Sequence, residues 1–185
     1  MLNVRLGARR ASSSTPQGYN APEQAMTRSL GDQLPDSLRR LLDGADLASR
    51  EGLTFLLLTT DDAGWPHMAL LSVGELVAID ERTLRAGLWL HSSTSKNLTQ
   101  AGRAMLTLIA DGNGYYVRLA AQRGPDLDLG AEGRLAYFVM QVEDVQEDSA
   151  DYATLTSGVT FRLKEPAQVV PRWQHTVDAL RAAAA

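Results

Sequence analysis

Short apolar runs alternate with turn signals through the middle of the chain, which predicts strands rather than long helices. Turn chemistry at 61–64 (Asp-Asp-Ala-Gly) and 111–114 (Asp-Gly-Asn-Gly) separates consecutive runs. The pattern predicts six strands at 53–60, 67–73, 84–91, 104–110, 115–122 and 135–145. Strands joined by short turns favour a mainly β fold, either an antiparallel barrel or a sandwich.

Helical signals flank this strand region. Pro35 and Asp36 open a predicted helix with leucines on one face, 97–103 forms a short helix between two strands, and Pro171 opens a C-terminal helix. We expect a short helical connection in the acidic stretch 143–151 and a returning strand at 159–163.

The length of 185 residues fits one domain preceded by a tail. We interpret 1–27 as a disordered leader and 28–185 as the single folded domain. Two other readings of the leader stay open. Its arginines and serines resemble an organellar transit composition, and Met26 is an alternative start.

Composition excludes several classes of function. A net charge of −4 without a basic stripe argues against nucleic-acid binding, and the apolar runs are too short to span a membrane. The absence of cysteine rules out disulfides and thiolate catalysis, and it is compatible with a cytoplasmic protein. His67, His91 and His175 form no set of metal ligands, so we expect no metal site.

The segment 90–97 (Leu-His-Ser-Ser-Thr-Ser-Lys-Asn) concentrates hydroxyl groups and a lysine between a predicted strand and a predicted helix. Backbone N–H groups at a helix start are unpaired, so this segment is a candidate anion cradle. Ser and Thr are also the preferred residues for capping a helix, and Lys96 can be an ordinary solvated lysine. Both interpretations stay open on these residues.

The ordered segments 57–67, 70–72, 91–97 and 104–111 together resemble the pyridoxamine 5′-phosphate oxidase-like FMN-binding split-barrel family. The resemblance covers about 53–121. It implies a six-stranded antiparallel split β-barrel with flanking helices, and a homodimer that holds FMN in a cleft between subunits. The residues it assigns to the cofactor are Leu70, Leu71, Ser72, Trp89, Leu90, His91, Ser92, Ser93, Thr94, Ser95, Lys96 and Asn97.

This resemblance implies a flavin-dependent oxidoreductase acting on a small-molecule substrate or electron donor, and we name no catalytic side chain because the flavin carries the chemistry. Two alternatives stay open, an F420-dependent reductase and a non-catalytic flavin- or phospholigand-binding module. Vitamin B6 oxidation is not favoured. The cationic residues near the C-terminus match no motif for a pyridoxal-type phosphate; they are Arg162, Lys164, Arg172 and His175.

Overall fold

A computed structural model describes residues 26–184, which form one antiparallel sheet and three α-helices. The strands are β1 (Met26–Gly31), β2 (Thr54–Thr60), β3 (Pro66–Ser72), β4 (Leu76–Ala78), β5 (Thr83–Trp89), β6 (Arg103–Ala110), β7 (Asn113–Arg123), β8 (Leu127–Asp128) and β9 (Arg134–Ser149). The helices are α1 (Asp36–Leu41), α2 (Ser93–Ala101) and α3 (Pro166–Ala182), with a 3₁₀ turn at Gly130–Glu132.

The strands are hydrogen-bonded in the order β3-β2-β6-β7-β9-β5-β4, and β1 and β8 also pair with β9. The 16-residue strand β9 therefore pairs with four others. The sheet curls into a half-barrel, which confirms the predicted split-barrel class. The described strands number nine rather than the expected six, because the sequence pattern does not mark the short strands β1, β4 and β8.

Alternating burial along the strands builds the core. In β2 the side chains of Phe55, Leu57 and Thr59 point inward, whereas β5 is buried on both faces from Leu84 to Leu88. Helix α3 covers the β4–β5 region of the sheet. A polar side chain in a strand covered on both sides needs hydrogen-bond partners within the protein.

Arg85 is the charged residue buried inside β5, with 8% of its surface exposed. Its Nη1 donates to the carbonyl oxygens of Leu180, Arg181 and Ala183, at 3.0, 3.1 and 2.7 Å. The C-terminal end of a helix carries unpaired carbonyls and partial negative charge, so a guanidinium is favourable there. Arg85 thus fixes the end of α3 to the sheet.

Several predicted boundaries were wrong. Helix α2 begins at Ser93 rather than residue 97, and α3 begins at Pro166 with Pro171 inside it. The stretch 143–149 continues strand β9 instead of forming a helical connection, since its acidic side chains bond to β1, as in the 2.6 Å contact from Ser29 Oγ to Asp144 Oδ1.

The expected strand at 159–163 is reduced to one bridge between Leu53 and Thr160. Of the expected leader, 1–25 lies outside the described residues, and β1 begins at Met26. Among the described helices, none is long and apolar enough to cross a membrane.

Candidate functional site

A cavity of about 450 Å³ lies between the ends of β3 and β5 on one side and α3 on the other. We call it the ligand cavity. The segment 159–163 forms a further wall, and most of the lining is apolar. The lining residues include Leu70, Leu71, Ser72, Gly74, Glu75, Trp89, Leu129, Glu132, Leu135, Phe161, Leu163, Val169, Arg172, Trp173 and Thr176.

Four of the residues assigned to the cofactor line this cavity: Leu70, Leu71, Ser72 and Trp89. Leu70 and Trp89 are large apolar side chains with 55% and 60% of their surface exposed. Leu71 and Ser72 are buried. An apolar pocket that opens to the surface through large exposed side chains is typical of a ligand site.

Glu75 contributes a polar side chain to the wall of the cavity, and the sequence analysis did not identify this residue. Its Oε2 accepts hydrogen bonds from the backbone N–H and the Oγ of Ser72, at 2.7 and 2.8 Å. These contacts fix the turn between β3 and β4. They also commit both donors of Ser72 to Glu75.

The remaining eight predicted residues lie at the start of α2 or just before it. Ser92 is the N-cap, and its Oγ accepts from the N–H of Ser95 at 3.1 Å. The Oγ of Ser95 donates in turn to the carbonyl of Trp89 at 2.7 Å. The capping interpretation of the hydroxyl run therefore holds for Ser92, whereas Ser95 joins the first turn of α2 to the end of β5.

Anion-binding capacity nevertheless remains at this helix start. The described residues supply no acceptor for the backbone N–H groups of Ser93 and Thr94. The side chain of Ser93 is exposed, whereas that of Thr94 is buried. Two free N–H groups and one accessible hydroxyl are the donors that a phosphate group binds at a helix N-terminus.

Lys96 lies on the exposed side of α2, and its Nζ is 2.6 Å from Oδ2 of Asp62 in the β2–β3 turn. The hydrogen bond to Asp62 and the charge of that carboxylate raise the pKa of Lys96 above its ordinary value. The lysine is therefore firmly cationic at neutral pH. A phosphate that binds Lys96 would compete with Asp62 or share the ammonium with it.

Asn97 has a different environment. Its Nδ2 donates to Oγ1 of Thr59 at 3.0 Å, and both side chains are buried. This contact joins α2 to β2 and gives Asn97 a structural role. Leu90 is half-buried and His91 is exposed, and neither lines the ligand cavity.

The far wall of the cavity comes from parts of the chain that the resemblance does not cover. Phe161 and Trp173 meet there edge to face, with ring centroids 6.2 Å apart. Thr54 also lines the cavity, and its Oγ1 is buried without a hydrogen-bond partner among the described residues. Phe161 and Trp173 lie outside the 53–121 span of the resemblance, whereas Thr54 lies within it, and no local motif links Thr54 to the two aromatic residues.

The sequence is similar to that of the uncharacterized protein YclD of Bacillus subtilis (strain 168). The two are 38% identical over 148 residues, which is 80% of this chain and 96% of YclD. The chain belongs to the YclD family. No family model matches the sequence.

Solved structures similar to this YclD-family chain have low sequence identity to it. One is a putative pyridoxamine 5′-phosphate oxidase from Lactobacillus delbrueckii, 16% identical over 63% of this chain and 97% of the other, with a TM-score of 0.48. Another is an F420 reductase, 14% identical over 60% of this chain and 98% of the other, with a TM-score of 0.45. A third is an FMN-binding protein from Syntrophomonas wolfei, 18% identical over 60% and 89%, with a TM-score of 0.41.

Proposed function

We propose that this chain is a flavin-binding oxidoreductase that holds FMN between the ligand cavity and the start of α2. The flavin ring would contact Leu70, Leu71 and Trp89, and the phosphate would bind at Ser93 and Lys96. A bound flavin would supply hydride or electron transfer, and the protein would supply position and electrostatics.

The position of Trp89 is the observation that carries this proposal. Its side chain lines the cavity, while its carbonyl accepts the 2.7 Å hydrogen bond from Ser95 Oγ in the first turn of α2. Trp89 thus belongs to the apolar cavity through its side chain, and its backbone is hydrogen-bonded to the start of α2. A flavin nucleotide requires this combination of an apolar slot and a nearby anion site.

The donors present fit the cofactor. A cavity of about 450 Å³ falls within the range of small-molecule sites, roughly 300–1,000 Å³. The free N–H groups of Ser93 and Thr94, the Ser93 hydroxyl and the Lys96 ammonium suit a phosphate.

A homodimer is part of the proposal, supported by the exposed apolar surface around β3. This strand is at one end of the sheet, and Trp65, Met68 and Leu70 on or beside it are all more than half exposed. Trp89 is exposed as well. An unpaired edge strand with exposed large apolar side chains favours association with a second surface. A second copy there would cover the mouth of the cavity.

Titration of the purified protein with FMN tests the phosphate assignment. The double variant Ser93→Ala/Lys96→Ala should raise the Kd at least about tenfold, since one charge-assisted hydrogen bond contributes about 1.5–3 kcal/mol. Lys164→Ala removes a lysine that lies outside the cavity and α2, and it should leave the Kd unchanged. Equal Kd values for the wild type and the double variant would place the phosphate elsewhere.

A further inference from the structure

We propose that the α3 side of the ligand cavity binds a small apolar carboxylic acid, whose carboxylate is held by Arg172. The acid site depends on the cavity alone. Only the role of the acid as a substrate rests on the proposed flavin function.

The walls on the α3 side favour an apolar ligand. Phe161, Leu163 and Val169 line this region together with Trp173, which is buried. Aromatic and aliphatic walls stabilise a ligand by removing its apolar surface from water.

Three charged side chains line the cavity, and two of them have partners. Glu75 accepts both hydrogen bonds from Ser72. Glu132, in the 3₁₀ turn, lies 3.2 Å from Nδ1 of His175. Both carboxylates therefore already have donors, which weakens their attraction for a ligand cation.

Arg172 is the third charged lining residue, and within residues 26–184 its guanidinium forms no ion pair and donates no hydrogen bond. Its backbone is fixed in α3, where its carbonyl accepts from Thr176 Oγ1 at 3.1 Å. A guanidinium is planar and binds a carboxylate through two parallel N–H groups. Among the charged lining residues, the one without a partner in residues 26–184 is thus a cation, which favours an anionic ligand.

Binding of 2-naphthoate tests this inference, with 2-naphthamide as the uncharged probe of the same shape. Calorimetric titration of the full chain should give a Kd for naphthoate at least about tenfold below that for naphthamide, because only the acid forms a charge-assisted pair. Arg172→Gln should remove that preference and leave the weak naphthamide affinity unchanged.

Arg162→Gln is the matched control, since it removes the same charge from an exposed residue that does not line the cavity. It should keep the preference for naphthoate. Arg172 is itself exposed, so the Gln variant should retain the fold, which a thermal melt verifies.

Three results would overturn the inference: equal wild-type affinity for the two probes, an unchanged naphthoate Kd in Arg172→Gln, or tighter binding of 2-naphthylmethylamine than of naphthoate. The last result would mean that the two carboxylates select a cation. A parallel FMN titration separates this test from the proposed function. Naphthoate binding through Arg172 without FMN binding would retain the acid site and remove the flavin assignment, and the converse would remove only the acid site.

Discussion

Lys96 Nζ lies 2.6 Å from Asp62 Oδ2, so the cation on the first turns of α2 already has a carboxylate partner. Both side chains are more than half exposed, so the pair contributes little to stability. The Lys96–Asp62 pair has a larger effect on ligand binding. A phosphate that binds Lys96 must compete with Asp62 or share the ammonium with it.

Replacement of Asp62 by Asn should therefore strengthen FMN binding. The variant removes the competing negative charge near the phosphate and leaves the Lys96 ammonium free, and it returns the pKa of Lys96 toward its ordinary value. We expect the Kd to fall severalfold at low salt, with a smaller effect at high salt. Asp151→Asn, at an exposed residue beyond β9, is the control for net charge. Weaker FMN binding in Asp62→Asn would instead mean that Asp62 orients Lys96 for the phosphate.

Replacement of Arg85 by Met should destabilise the protein by about 3 kcal/mol, because three carbonyls at the end of α3 lose a charged donor inside the fold. Urea unfolding measures this change. Arg39→Met breaks only the exposed pair with Asp36 and should cost about 0–1 kcal/mol. Similar values for the two variants would show that Arg85 does not anchor α3.

Replacement of Gly74 by Ala should also destabilise the fold. A Cβ at this position would clash with the Cβ and Cγ atoms of Trp173, so α3 would have to move. Overpacking of this kind costs about 1–3 kcal/mol. Gly114→Ala is the control, since a Cβ there would meet its nearest neighbour, Leu155 Cδ1, at an ordinary 3.6 Å. Equal urea midpoints for the two variants would contradict the close packing of Trp173 on Gly74.

Asp126 should contribute to the pH dependence of stability. A hydrogen bond from Arg123, with the charges of Arg123, Arg134 and His91, holds the pKa of Asp126 below its ordinary value of 3.8. A carboxyl with a lowered pKa in the folded state stabilises the protein above its unfolded pKa, and that contribution is lost as the pH falls through the folded pKa. The free energy of unfolding should thus fall more steeply below pH 3.8 in the wild type than in Asp126→Asn. Parallel curves for the two proteins would contradict this assignment.

The local sequence pattern was sufficient to predict five of the strands in the sheet. Alternation and turn chemistry predicted β2, β3, β5, β6 and β7 to within a few residues. The same pattern did not predict that β9 continues through its acidic end. The carboxylates there are stabilised by donors from β1, such as the Arg28 guanidinium that pairs with Glu147. That pairing joins residues more than a hundred positions apart.

The candidate site also combines features that are visible in the sequence with features that only the fold creates. The hydroxyl run at the start of α2 is visible in the sequence, but the sequence does not show which hydroxyls are already engaged. Ser92 caps the helix and Ser95 bonds to Trp89, while the N–H groups of Ser93 and Thr94 have no acceptor among residues 26–184. The α3 wall of the cavity exists only because the fold packs α3, with Arg172 and Trp173, over β4 and β5. No local motif marks either residue as part of a site.

The most direct test of the flavin assignment is the absorption spectrum of the purified protein, with mass identification of any small molecule released on denaturation and FMN titration of the ligand-free chain. We predict a flavin spectrum and released FMN, or saturable FMN binding by a colourless preparation. Released F420 would keep the site and change the cofactor. A protein that releases no flavin and binds neither FMN nor F420 would contradict the proposed function.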